Sequence, residues 1–254
     1  VFNWGELNNT NVASICPIDS TICDLSNRGI TSIASGTFVW YTNLQTLYLY
    51  YNQLTSIDDG DFNWLDNLTY LHLDSNQITT IESGGFSGLT NLDTLELGEN
   101  QITSIENGDF VGLDNLHTLI LAQNQLTTID DNAFNWLTNL NRLDLSENLL
   151  TSIESDDFDS LSNLQYLGLY NNQITSIDSD DFDSLVNLNE LALGQNLITS
   201  IENTDFDSLS NLQYLYLYNN QISNIESNSF DSLVNLNQLD LGQNQISTIE
   251  SGMF

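Results

Sequence analysis

Apolar and polar residues follow one short pattern over nearly the whole chain. In Leu44-Gln-Thr-Leu47-Tyr-Leu49-Tyr-Tyr-Asn52-Gln-Leu54, Leu47 and Leu49 alternate with residues of other kinds. That is the period of an extended strand with one face buried. Asn52 follows where the chain must leave the strand, and its amide can both donate to and accept from turn backbone that no strand ladder satisfies. Apolar pairs then return (Leu54 with Ile57, Ile78 with Ile81), followed by a phenylalanine. The predicted unit is therefore a strand, an asparagine-held turn and a loose return segment.

The unit repeats. Asparagine recurs at Asn52, Asn76, Asn100, Asn124, Asn148, Asn172, Asn196, Asn220 and Asn244, always at the same interval. Phenylalanine keeps that interval from Phe38 to Phe254, and a second asparagine column runs from Asn43 to Asn235, consistent with another turn cap. A repeat this regular marks a stacked array. One coil cannot bury enough surface to offset the entropy of ordering itself, so stacking on neighbours is obligatory. The stacked asparagines are expected to form an internal ladder and the phenylalanines a spine on the far side. A longer period appears late in the chain: Ser162-Asn-Leu-Gln-Tyr-Leu-Gly-Leu-Tyr-Asn-Asn returns two repeats on as Ser210-Asn-Leu-Gln-Tyr-Leu-Tyr-Leu-Tyr-Asn-Asn.

The motif, matched from Leu44 to Phe254, resembles the 24-residue typical class of extracellular leucine-rich repeats, the class of Toll-like receptor ectodomains, small leucine-rich proteoglycans and variable lymphocyte receptors. The resemblance implies an α/β-type repeat solenoid with little helix: a curved right-handed coil, a parallel β-sheet on the concave face and irregular turns on the convex face. It divides the chain into an N-terminal cap, 1–28, and an array, 29–254, of one degenerate first coil, eight full coils and one partial coil without a C-terminal cap. For function it implies a binding surface and nothing narrower. Cys16 and Cys23 lie where such proteins carry a cap, although those caps commonly hold four cysteines. Two cysteines and no others fit one short disulfide and an oxidising, extracytoplasmic setting. The alternatives are two reduced thiols or a zinc half-site, the latter disfavoured by the lack of nearby histidine.

Charge narrows the partners. The chain carries 35 Asp and Glu against Arg28 and Arg142, a net charge of −33. Such a surface repels the phosphates of nucleic acids and anionic membranes, and no stretch is apolar for long enough to insert. The residue after the second coil isoleucine is acidic in every coil from Asp58 to Glu250, and further acids gather at Asp156, Asp157, Asp159, Asp180, Asp181, Asp183, Asp205 and Asp207. A solvated acidic face is expected. Calcium is the cation these carboxylates would suit, but no calcium-loop motif is present; no cofactor and no specific metal site are expected.

Chemistry is sparse and recognition residues are not. No hydrolase elbow, zincin helix or phosphate loop appears, and His72 and His117 stand in different columns, so no enzyme is expected. Nine of the ten tyrosines fall on positions expected to face the concave side: Tyr48, Tyr50, Tyr51, Tyr70, Tyr166, Tyr170, Tyr214, Tyr216 and Tyr218. Tyrosine offers wide amphipathic contact at low entropy cost, though it also simply favours strands. Arg142 is either an anchor for a ligand carboxylate or a partner of Asp144 or Glu147. Asn8 heads the candidate glycosylation sequon Asn8-Asn9-Thr10; Asn67 heads another but belongs to the second asparagine column.

The expected function is an extracellular or cell-surface recognition or adhesion module that binds a protein or glycan on its concave face. The alternative is a structural subunit polymerising head to tail. Phe2-Asn3-Trp4 resembles Phe62-Asn63-Trp64, the segment that would follow Phe254. Val1 at the start and the lone Met253 are consistent with a processed or excised chain.

Overall fold

The computed structural model describes residues 4–248 and 252. Ten parallel strands form one sheet in strict sequence order, from Ile22–Asp24 through Thr46–Tyr48, Tyr70–His72, Thr94–Glu96, Thr118–Ile120, Arg142–Asp144, Tyr166–Gly168, Glu190–Ala192 and Tyr214–Tyr216 to Gln238–Asp240. Every pairing keeps the register of the repeat, so Leu47 faces Leu71, Leu71 faces Leu95 and Leu95 faces Leu119. Shorter parallel pairs, such as Ser56–Ile57 with Thr80–Ile81, line the return segments. The only α-helix among the described residues is Asn9–Ala13. Both the parallel-strand solenoid and the near-absence of helix match the fold expected from the pattern.

The ladder of asparagines runs through the interior. Asn100 accepts from the Ile78 N–H (3.0 Å) and donates to the carbonyls of Leu73 and Leu97 (both 3.1 Å), spanning its own coil and the one before. Asn52, Asn76, Asn124, Asn148, Asn172, Asn196, Asn220 and Asn244 repeat the arrangement. Buried backbone groups that the sheet leaves open are thereby satisfied. The second asparagine column works outside: Asn67, Asn91, Asn115 and their successors each donate to a carbonyl of the preceding coil. The phenylalanines stack almost face to face, with Phe62 and Phe86 6.0 Å apart and 8° from parallel. Phe254 lies outside the described residues.

The residue before each ladder asparagine is in the left-handed region, for example Tyr51 (φ 54°), Gln123 (58°) and Asn219 (53°), and so is Asn27 (55°), which precedes Arg28 in the first coil. Its N–H thereby reaches the next coil's carbonyl, as from Tyr51 to Asp74 at 3.1 Å. Asparagine tolerates that conformation; for a bulky tyrosine it is a strained one.

At the N-terminal end, the strand Gly5–Leu7 pairs with Ile30–Ile33, and Leu7, Val12 and Cys16 are buried against the array. Cys16 and Cys23 form a disulfide. Cys23 sits in the first strand of the large sheet, opposite Leu47. The Tyr41 hydroxyl, buried beneath, donates to the Cys16 carbonyl at 2.9 Å. Phe2, Asn3 and Phe254, on which the head-to-tail expectation rests, lie outside the described residues, as do Ile249, Glu250 and Met253.

One expectation about the acids is corrected. Asp58, Glu82, Glu106, Asp130, Glu154, Asp178, Glu202 and Glu226 are exposed, but Asp157, Asp181 and Asp205 are buried, as are Asp61 and Asp109. Each reaches back over a tight turn and accepts from backbone, Asp181 from the Asp178 N–H at 2.8 Å and Asp157 from the Glu154 N–H at 2.9 Å. Burial pushes Asp157 and Asp205 up to about 6 and Asp181 to about 7; the accepted N–H lowers them, and neighbouring carboxylates raise them further. These side chains are turn caps, a use that the charge pattern alone does not separate from solvation.

Candidate functional site

Alternation along each strand turns one row of leucines inward and leaves the intervening side chains on the outer face of the sheet. Tyr48, Tyr70, Tyr166, Tyr214 and Tyr216 lie within the strands and are half-buried. Tyr50, Tyr170 and Tyr218 follow just beyond strand ends, and Tyr51 is exposed at the turn. The structure gathers them into two groups of different character.

In the N-terminal group the rings pack on one another. Tyr48 meets Tyr50 and Tyr70 edge to face at 5.9 and 5.8 Å, and Tyr50 meets Tyr51 at 5.5 Å. His72 joins them, its ring 4.7 Å from that of Tyr50. Its Nε2 lies 3.2 Å from an Asp74 oxygen and 3.1 Å from a Glu96 oxygen. Burial pulls the His72 pKa down, but the Asp74 hydrogen bond and the charges of Asp74 and Glu96 outweigh it and leave the pKa raised. The Tyr70 hydroxyl donates to Glu96 at 2.8 Å; burial and that bond hold it protonated far above its usual range. His117 stands apart, its Nδ1 2.9 Å from Asp93.

In the C-terminal group the rings surround space. A hollow of about 420 Å³ opens on the sheet, lined by Tyr166, Tyr170, Tyr216 and Tyr218 together with Ala122, Asp144, Ser146, Glu147, Ala192 and Gly194. Tyr170 and Tyr218, two repeats apart, face each other at 6.1 Å across the coil that carries Gly194. A Cβ on Gly194 would stand 2.6 Å from the Tyr218 ring, and one on Gly168 would stand 2.6 Å from an Asp144 oxygen. A side chain at either position would displace a group already there; Gly194, which lines the hollow, lets the Tyr218 ring lie close to the sheet. Arg142 lies over the Tyr166 ring (3.6 Å) and pairs with Asp144 (3.3 Å), the second of the two roles expected for it. Tyr214 shares the strand of Tyr216 without lining the hollow.

Gly168, Gly194 and the His72 cluster are absent from the sequence-based candidates. A signal for the cluster is present in the sequence, since His72 and Glu96 are one repeat apart and pair across strands. Asn8, the glycosylation candidate, caps the short helix and accepts from the Thr10 and Asn11 N–H groups. Asn67 donates to the Thr42 carbonyl as its column requires.

Among the described residues no helix is long and apolar enough to cross a membrane. Comparison with curated proteins returned no match. Among solved structures the chain resembles TLR13 in its complex with ssRNA13 (TM-score 0.78, 28% identity, covering 89% of this chain and 34% of that one). It also resembles a leucine-rich-repeat protein of Leptospira interrogans (0.78, 26%, covering 96% and 66%). Toll of Drosophila, solved with Spatzle, matches in fold at 24% identity (0.77, covering 95% and 35%). The chain thus spans about a third of the length of TLR13 and Toll. The family model for the BspA-type leucine-rich repeat region matches residues 55–189, and a second leucine-rich-repeat model matches 22–78, 162–222 and 210–254. With more than half of its length matched, the chain belongs to the leucine-rich-repeat proteins.

Proposed function

We propose that this chain is an extracellular recognition module, without catalytic activity, that takes up a protein or glycan ligand on its concave face, with the C-terminal hollow as the anchor site. The observation that carries the reading is the hollow itself: four tyrosine rings gathered with Ala192 and Gly194 around one open space. A cleft with aromatic walls and a few converging polar groups is the usual form of a ligand site. Asp144 and Glu147 can accept hydrogen bonds from sugar hydroxyls or from basic side chains, and the rings offer stacking faces to both. The net charge of −33 favours basic or neutral partners over polyanions. The fold is a binding scaffold whose similar structures include complexes with ligands. The Cys16–Cys23 disulfide suits an oxidising compartment.

The test is a glycan array and a secreted-protein array probed with the native chain and with a variant carrying Tyr166→Ser, Tyr170→Ser, Tyr216→Ser and Tyr218→Ser. Binding to one ligand class that the variant loses, with its thermal unfolding unchanged, is the expected outcome. Identical binding profiles would remove the concave tyrosines from the function.

A further inference from the structure

His72, Asp74 and Glu96 converge on the concave face beside the N-terminal tyrosines, and from their geometry we propose that they hold a divalent transition-metal ion of zinc-like preference. The potential donor atoms of the three side chains all lie within 4.8 Å of one another. Donors about 2.1 Å from a tetrahedral ion stand roughly 3.4 Å apart. The His72 Nε2 is 3.2 Å from the Asp74 oxygen and 3.1 Å from the Glu96 oxygen, so these two sides of the triangle need only slight opening to admit the ion, and the third lies within 4.8 Å.

Two further observations support a metal in place of an ion pair alone. Nε2 carries at most one hydrogen, which can point at only one of the two oxygens, whereas a metal ion uses the lone pairs of all three groups. Each carboxylate is also held by its other oxygen. The Gly98 N–H donates to Asp74 Oδ1 at 2.6 Å, and the Tyr70 hydroxyl donates to Glu96 Oε1 at 2.8 Å. Outer partners that aim the ligating oxygens in this way are a regular part of metal sites. The imidazole is held as well, packed against the Tyr50 ring. One nitrogen and two carboxylates favour zinc and its first-row neighbours over calcium, which takes six to eight oxygens. With three protein donors, the fourth position remains for water or for a donor atom of a bound partner.

The experiment is a calorimetric titration of the folded chain with Zn²⁺ at neutral pH, in excess Ca²⁺ to occupy the acidic surface, repeated with Co²⁺ followed by its visible absorption. One ion per chain is expected, with His72→Ala and Glu96→Gln each weakening affinity at least about tenfold. Tyr70→Phe, which keeps the ring and removes only the supporting hydroxyl, should weaken it about tenfold. His117→Ala should change nothing. Should His72→Ala fail to fold, Tyr70→Phe and Glu96→Gln carry the test. Zinc that calcium displaces, or that binds these variants as it binds the native chain, overturns the proposal.

Discussion

The two tyrosine groups occupy the same columns of the same sheet, yet one is filled and the other is open. In the N-terminal group Tyr48 has His72 one coil on, and the rings of Tyr48, Tyr50, Tyr70 and His72 use one another as packing partners. In the C-terminal group the two-coil period sets Tyr170 and Tyr218 on either side of a coil bearing Ala192 and Gly194. The large–small–large order brings the Tyr218 ring over Gly194, with the hollow among the rings. A residue type therefore does not define a site on this sheet; its neighbours one coil away do. The first group has the chemistry of a metal ligand set, the second that of a ligand hollow.

The largest expected effect tests whether the frame beneath the two groups is the same. Asn76 and Asn196 make matching bonds, accepting from Leu54 and Ile174 and donating to Leu49 and Leu169. Replacing either by alanine strands several buried backbone groups and should cost about 3 kcal/mol or more of stability in denaturant melts. A large inequality between them would show that the frame is not uniform.

Next comes the contrast in recognition. Tyr170→Ser should weaken binding of an array-identified ligand about thirtyfold or more, the scale of an interface hot spot near 2 kcal/mol, whereas Tyr51→Ser should change it less than threefold. Equal losses in titration calorimetry would erase the distinction between the groups.

A smaller effect separates the concave face from the turns behind it. The folded chain keeps a proton on Asp181 up to about pH 7, whereas the unfolded chain loses it near the ordinary value of 3.8. Stability from this group is thus present in acid and lost as pH rises from about 4 through 7. Asp181→Asn keeps an acceptor for the Asp178 N–H. It should match the native chain near pH 4 and exceed it by about 2 kcal/mol at pH 8 in chemical unfolding, without altering ligand affinity.

The smallest is a difference of backbone. The left-handed position holds Tyr51 in the first group and Asn171 and Asn219 in the second. Tyr51→Asn should raise stability by about 0.5–1 kcal/mol, a gain of a few degrees in the melting temperature. A loss would mean that the Tyr51 ring contributes more through Tyr50 than its backbone strain costs.

The strand register, both asparagine ladders and the phenylalanine spine are legible in the sequence because each is a fixed residue at a fixed interval, repeated in coil after coil. The candidate sites are legible only in part. Counting tyrosines locates both groups, but which of them surrounds a hollow depends on the small residues among the rings, Ala192 and Gly194, which composition does not flag. The His72 cluster is hidden from a comparison of histidine with histidine, because its partners are acids two positions and one repeat away. Asp157 and Asp159 look alike in sequence; only the turn that buries one and exposes the other distinguishes them.

The central claim is that the hollow around Gly194 is where ligand enters. Gly194→Leu pushes the Tyr218 ring from its place and so rearranges the hollow, while leaving all nine concave tyrosines present. Affinity for the array-identified ligand, measured by titration calorimetry on native and variant chains with matching circular dichroism, should fall at least about a hundredfold, the scale of a lost anchor site. Affinity unchanged by the leucine would contradict the account and move recognition elsewhere on the molecule.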